Sequence, residues 1–316
     1  MPNKMNKLPH KLLKKPPLVV AGLTGGAYYL GVILAVIFVN PVEKIAFFWP
    51  SNALAAAVLI LIPRRQWPIV LAAVAVGYFA GRLPNGELPL LVYVGFCIAN
   101  LIEITALAWL VRQSWPEGIQ FSDMGRAMPI VLISSVPAAF FSAMVGAGIV
   151  TLALQDAAFF RAFGVWFTGD LFGLILVTPL VLAFITPSDR SRLSSFRWPR
   201  ICEGLALMAG LAGLGLAIVE MRGPDAMIWP MAPYLVFPFL LWLAFRVDLF
   251  CAILGTFMVG LFAVAATYAG FGLFKFHGIS LTAEVVVMKL CITLLSVVTL
   301  VLAIRRDGQV RANNPA

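Results

Sequence analysis

The sequence predicts an all-α integral membrane protein, a polytopic helical bundle of about ten transmembrane segments, about eight at the fewest. Composition is the first reason: 61% of its 316 residues are apolar and only 12% are charged, against about 45–50% and about 25% in soluble domains. The mean hydropathy of +0.96 is the second. Third, apolar runs bounded by charge, Pro or Gly recur along the whole chain. A water-facing surface cannot be assembled from these residues. Ten spans of about 20 residues leave about 100 for connections, too few for a soluble catalytic domain.

The elements follow in order. Residues 1–17 form a basic segment, with Lys4, Lys7, His10, Lys11, Lys14 and Lys15, expected in the cytoplasm. Residues 18–39 are longer than the core of a signal peptide and lack a clear cleavage site, so they are expected to stay as the first span. The remaining runs are 45–62, 67–81, 88–111, 127–154, 162–186, 201–219, 229–245, 249–271 and 281–304. The second contains Pro50 and the third is short, so broken or re-entrant pieces could lower the count of full crossings. Residues 18–304 thus read as one membrane domain, and 305–316 as a short cytoplasmic tail where an output module would join.

Basic residues give the orientation, because cytoplasmic loops hold most Lys and Arg. With the N-terminus inside, the inner segments hold the five N-terminal lysines, Arg64, Arg65, Arg112, Arg126, Arg190, Arg192, Arg197, Arg200, Arg246, Arg305, Arg306 and Arg311. The outer segments hold only Lys44, Arg82, Arg161, Arg222 and Lys275. Both termini are therefore expected in the cytoplasm, and the net charge of +9 marks topology and not a nucleic-acid partner. Cys97, Cys202, Cys251 and Cys291 lie in apolar stretches without metal or disulfide spacing. The two histidines, His10 and His277, belong to no hydrolase or metal motif. No enzyme activity, metal or cofactor is expected.

Five tryptophans precede proline, at Trp49, Trp67, Trp115, Trp198 and Trp229, all at expected span edges. Indole favours the headgroup region and proline suits a first helical turn, so these pairs read as anchors. Gly22-x-x-x-Gly26, Gly77-x-x-x-Gly81 and Gly169-x-x-x-Gly173 read as close-packing positions. A weak parallel repeat of four spans is also visible. Residues 46–71, with the basic turn at Arg64-Arg65, share a layout with 234–255, where the turn is Arg246-Val247-Asp248.

Acidic and amide groups inside spans need a reason, since an acid at span centre costs about 2.5–3.5 kcal/mol on insertion scales. Asp170 has no charge within eight residues on either side. Asn100 and Glu103 share one helix face at i, i+3. Lys289 is the cation of the last span and a charge partner for one of the acids. Counted from the outer edge, Asn52 is about seven residues deep, Lys289 about eight, Asp170 about ten, Asn100 about twelve and Glu103 about fifteen, one polar layer at about 1.5 Å per residue. The layer is either a structural network or a ligand site. Pro50 would break or begin a helix at this depth, freeing N–H groups that could meet an anionic group, or merely kinking a span that Ser51 and Asn52 re-satisfy.

Trp49-Pro50-Ser51-Asn52, Pro63-Arg64-Arg65-Gln66-Trp67-Pro68, Asn100-Leu101-Ile102-Glu103 and Trp166-x-x-Gly169-Asp170-x-x-Gly173 followed by Pro179 form a distinctive combination. It resembles the bacterial membrane-associated sensor domain of the first type, the founding member of the MASE group, from about residue 30 to residue 304. The resemblance implies an inner-membrane sensor for signal transduction, feeding a histidine kinase of a two-component system or an enzyme of cyclic di-GMP signalling. It also implies a sensing core of Asn52, Asn100, Glu103, Trp166 and Asp170, lining a cavity open to the outer side or to lipid. The expected partners are the lipid bilayer, a cytoplasmic output domain or partner protein, a small-molecule ligand, and a second copy in a homodimer. Two departures stand out: no kinase or cyclase sequence follows the last span, and ten spans exceed the eight usual for the family. A small-solute transporter or solute-binding permease is the competing class, suited by a polar midplane cluster.

Overall fold

Apolar runs in lipid fold as helices because every backbone N–H and C=O must find its partner within the segment. The computed structural model describes residues 15–37, 48–85, 88–116, 124–154, 159–185, 198–220, 232–246, 249–268 and 280–313. Among them are ten α-helices: α1 (Pro17–Ile37), α2 (Pro50–Leu61), α3 (Trp67–Arg82), α4 (Leu90–Ser114), α5 (Met124–Leu154), α6 (Phe159–Ile185), α7 (Trp198–Glu220), α8 (Ala232–Arg246), α9 (Leu249–Tyr268) and α10 (Leu281–Asn313).

Six helical stretches are long and apolar enough to cross a membrane: Pro17–Ala35, Leu90–Ser114, Met124–Ala153, Phe159–Ile185, Leu249–Thr267 and Leu281–Gln309. The protein is a helical membrane protein. The ten apolar runs are not ten full-length spanning helices, however. α2 has 12 residues, α3 has 16 and α8 has 15, or about 18, 24 and 22 Å at 1.5 Å per residue, against a hydrocarbon core of about 30 Å. Proline explains the shortest: Pro50 opens α2 five residues into its run, and Pro63 follows its end.

The chain divides into two compact units, residues 1–189 and 190–316. In the first, α2 is the central element and packs on α1, α3, α4 and α6, while α5 packs on α4 and α6. Apart from the half-buried Pro50 and Leu54, every residue of α2 is buried. Ala53, Ala55, Ala56 and Ala57 let the neighbours approach closely, the usual basis of helix association in lipid.

Glycine serves the same end where α1 meets α3. A Cβ on Gly25 would lie 2.6 Å from the Ala73 carbonyl oxygen, and one on Gly81 would lie 2.7 Å from Val32 Cγ1. A Cβ on Gly77 would strike the Gly25 carbonyl oxygen. Gly22 and Gly26, expected to pack, have nothing within 4 Å. The contact uses the next face of the turn, through Gly25. On α6, Gly173 admits the Trp49 backbone, whose carbonyl oxygen would sit 2.8 Å from an added Cβ.

The elbow between α2 and α3 shows why a tryptophan follows the basic turn. In a continuing helix the Leu59 carbonyl would accept from residue 63, but Pro63 has no N–H. The buried indole of Trp67 donates to that carbonyl instead, at 2.9 Å. Trp67, expected as a headgroup anchor, thus also has its indole N–H bound within the protein. α5 carries Pro129 and Pro137 inside the helix, and between them Ser135 Oγ donates to the Val131 carbonyl of its own preceding turn at 2.8 Å.

In the second unit α8 packs on α7, α9 and α10, and α9 packs on α10. Gly210 makes room for Phe239, and Gly255 for Leu243 and Met208. Glu203 Oε1 accepts from Trp242 Nε1 at 2.6 Å and pairs with Arg246 Nε at 3.4 Å. Arg306 Nη2 donates to the Arg246 carbonyl at 2.9 Å. α10 runs on to Asn313, so residues 305–313, expected as a tail, are helical. The expected repeat pairs α2 and α3 with α8 and α9, in each case a short apolar helix followed by a second helix; residues 247–248 of its second turn lie outside the described residues.

The α1–α3 contact yields a direct test. Gly77→Val inserts a branched side chain against the α1 backbone and lowers stability by about 2–4 kcal/mol, read by thermal unfolding in detergent micelles. Gly22→Ala, in open space, changes stability by less than about 0.5 kcal/mol.

Candidate functional site

The first turn of α2 starts at Pro50, with Trp49 as its N-cap residue and no side chain capping it. This places Asn52 in the middle of the first unit, about 14 Å along the helix from Leu61 at 1.5 Å per residue. Its amide makes four hydrogen bonds. Oδ1 accepts from Tyr28 Oη of α1 at 2.7 Å and from Trp49 Nε1 at 3.1 Å. Nδ2 donates to Asn100 Oδ1 at 2.8 Å and to Glu103 Oε2, both on α4. Both acceptor positions and both N–H groups of the amide are therefore used. The i, i+3 spacing of Asn100 and Glu103 matters here because it delivers two acceptors to one NH2 group.

A second group lies on α5 and α6. Trp166 and Asp170, one turn apart on α6, meet at Ser142 of α5: Trp166 Nε1 donates to Ser142 Oγ at 3.1 Å, and Ser142 Oγ donates to Asp170 Oδ2 at 2.8 Å. The Trp166 ring packs edge-on against Phe96 of α4, with centroids 4.9 Å apart, and Gly146 leaves the space that the indole fills. The two groups meet at Glu103 and Asp170, whose carboxyl groups act on one another, while Glu103 Oε1 is buried with no hydrogen-bond partner among the described residues.

All five residues expected as a sensing core belong to this one network. Each is buried: Trp166, the most exposed of them, is 8% accessible, and Glu103 is wholly buried. Lys289, the expected charge partner, is buried on α10 in the second unit. Tyr28, Trp49 and Ser142 complete the network and were not singled out from sequence as polar partners. Trp49 was read as an anchor, yet its indole N–H is used within the protein. Nothing in α1 marks Tyr28, buried, from Tyr29 beside it, 37% exposed. Among the described residues, no three His, Cys, Asp or Glu side chains are grouped to hold a metal ion.

Chemically, the arrangement is a relay of O–H, N–H and carboxyl groups contributed by α1, α2, α4, α5 and α6. It can exchange hydrogen-bond partners, and such a change would alter how the five helices pack. In comparison with known families, residues 20–309 match the MASE1 family. No curated protein and no solved structure matches the chain.

The geometry ranks the network's members. Asn52→Ala strands donors on Tyr28 and Trp49 and acceptors on Asn100 and Glu103, and lowers stability by about 2–3 kcal/mol. Tyr28→Phe removes one donor and costs about 1 kcal/mol. Unfolding of the purified protein in mixed micelles reads both, and the order Asn52→Ala above Tyr28→Phe is the expected result.

Proposed function

Since the matched region is nearly the whole chain, the protein belongs to the MASE1 family of membrane-associated sensor domains, a sensory and not a catalytic family, and we propose that the Asn52–Glu103–Asp170 network is its sensing core. In this reading a small ligand or a membrane-borne cue acts on the network, and the response passes to a cytoplasmic histidine kinase, a cyclic di-GMP enzyme or a partner protein. One observation carries it: side chains from five helices form two buried hydrogen-bonded groups that meet at Glu103 and Asp170. A cue that changes any one bond favours one packing of these helices over another, which is all that a signal within a bundle requires. Polar groups at this depth are costly to keep, which supports a role beyond packing.

The orientation belongs to the same proposal. It puts the protein in the bacterial inner membrane with ten crossings and both termini inside, because that arrangement assigns most of the 23 Lys and Arg residues to inner segments. α2 then runs from membrane depth to the inner surface. Alkaline phosphatase and fluorescent-protein fusions check this. Fusions after Asn313 and within residues 187–197 are expected to report the cytoplasm, and a periplasmic signal after Asn313 would refute the arrangement.

The sensing role is tested by joining a cyclic di-GMP synthase to the full chain after Asn313, in phase with α10. Glu103→Gln and Asp170→Asn each keep the shape of the site but replace a carboxyl group with an amide. Both are expected to shift output at least about threefold relative to the unsubstituted fusion at matched membrane abundance. Unchanged output across growth conditions, with the fused synthase active, would make the two acids purely structural.

A further inference from the structure

The far end of α2 carries a second cluster that the sensing network does not use. Arg112, in the last turn of α4, is 5% exposed. Its Nε and Nη1 are buried, and no hydrogen-bond partner meets them among the described residues. The charge acting on it is a like one, the Arg64 guanidinium of the basic turn. Arg64 is exposed, lies 5.9 Å from the centroid of the Trp67 ring, and is backed by the indole bond to Leu59. Arg65 is exposed beside it.

A basic residue that only marks topology needs no more than an exposed position at the inner surface, as Arg64 and Arg65 have. Arg112 is different: a buried guanidinium without an acceptor, facing a second cation, is unfavourable on both counts. The missing component is an anion. From these residues we infer that the ends of α2 and α4 bind a phosphate group, with Arg112 as the buried donor and Arg64 as the donor at the rim. A tetrahedral phosphate offers several oxygens to two guanidinium forks at once, whereas a carboxylate satisfies one. The position, where apolar helices give way to a basic turn, is the depth of lipid phosphodiesters, and basic pockets between helices on the cytoplasmic side hold anionic headgroups. A free phosphate or phosphorylated solute presents the same oxygens from the water side.

The test uses the full chain purified in an alkyl maltoside, which has no phosphate, with thermal unfolding as the readout. Phosphatidylglycerol, inorganic phosphate and a phosphate-free diacylglycerol are added in parallel. At about a hundredfold excess over the dissociation constant, the bound species is expected to raise the melting temperature of the unsubstituted protein by about 4–8 °C more than diacylglycerol does. Arg112→Gln and Arg64→Ala should each remove at least half of that shift. Arg64 is exposed, so its variant keeps the fold even where Arg112→Gln does not. A shift with phosphatidylglycerol alone assigns the site to a lipid headgroup, and a shift with inorganic phosphate assigns it to a solute; both support the inference. No shift with either, or a shift undiminished in Arg64→Ala, overturns it.

Discussion

An amide inside a helix bundle in lipid has two donors and two acceptor positions to fill, with no water to fill them. Asn52 fills all four from α1, from its own N-cap and from α4. That requirement fixes much of the first unit. Pro50 sets where α2 begins and puts Asn52 in its first turn, three residues from the Trp49 indole that donates to it. α2 also carries small side chains at Ala53, Ala55, Ala56 and Ala57, so that α1 and α4 come within hydrogen-bonding reach. The tryptophan on each side of α2 then closes its ends: Trp49 bonds Asn52 at the start, and Trp67 bonds Leu59 at the finish.

Sequence reading succeeded where chemistry is discontinuous. Asn52, Asn100, Glu103 and Asp170 stand out because an acid or amide in an apolar run has no cheap explanation. Their convergence followed from counting depth along helices of known rise. It failed where discrimination depends on which apolar face points inward. In a soluble helix the core face is apolar and the water face polar, so a 3.6-residue period reveals burial. Here both lipid and core are apolar, and no such contrast exists. Tyr28 and Tyr29, or Gly25 and Gly26, are adjacent and chemically alike, yet one of each pair is packed and the other is not. Ser142 was missed for a related reason, since a lone serine in a membrane helix ordinarily bonds its own preceding turn, as Ser135 does.

Proline and tryptophan at helix ends were legible as boundaries but not as partners. Indole at a span edge satisfies the headgroup rule without any protein contact. The additional information in the elbow is that Pro63 orphans the Leu59 carbonyl, which turns a nearby indole N–H from an anchor into a structural bond. Helix length and run length part in the same region. Apolar length alone does not say where a proline will cut a run, and α2 is a 12-residue helix inside the longer run 45–62.

α10 continues unbroken from Leu281 to Asn313. At 33 residues it is about 50 Å long, some 20 Å more than the hydrocarbon core is thick. A rod of that kind carries angular position as well as length. Any segment continued from its end inherits the helical phase of the membrane portion, advancing about 100° with each residue added. A single inserted residue would point a following domain to another side of the rod, whereas about seven would restore its heading to within about 20°. The azimuth at Asn313 is thus set by residues packed inside the membrane, and the spacing of whatever follows is constrained in steps of about two helical turns.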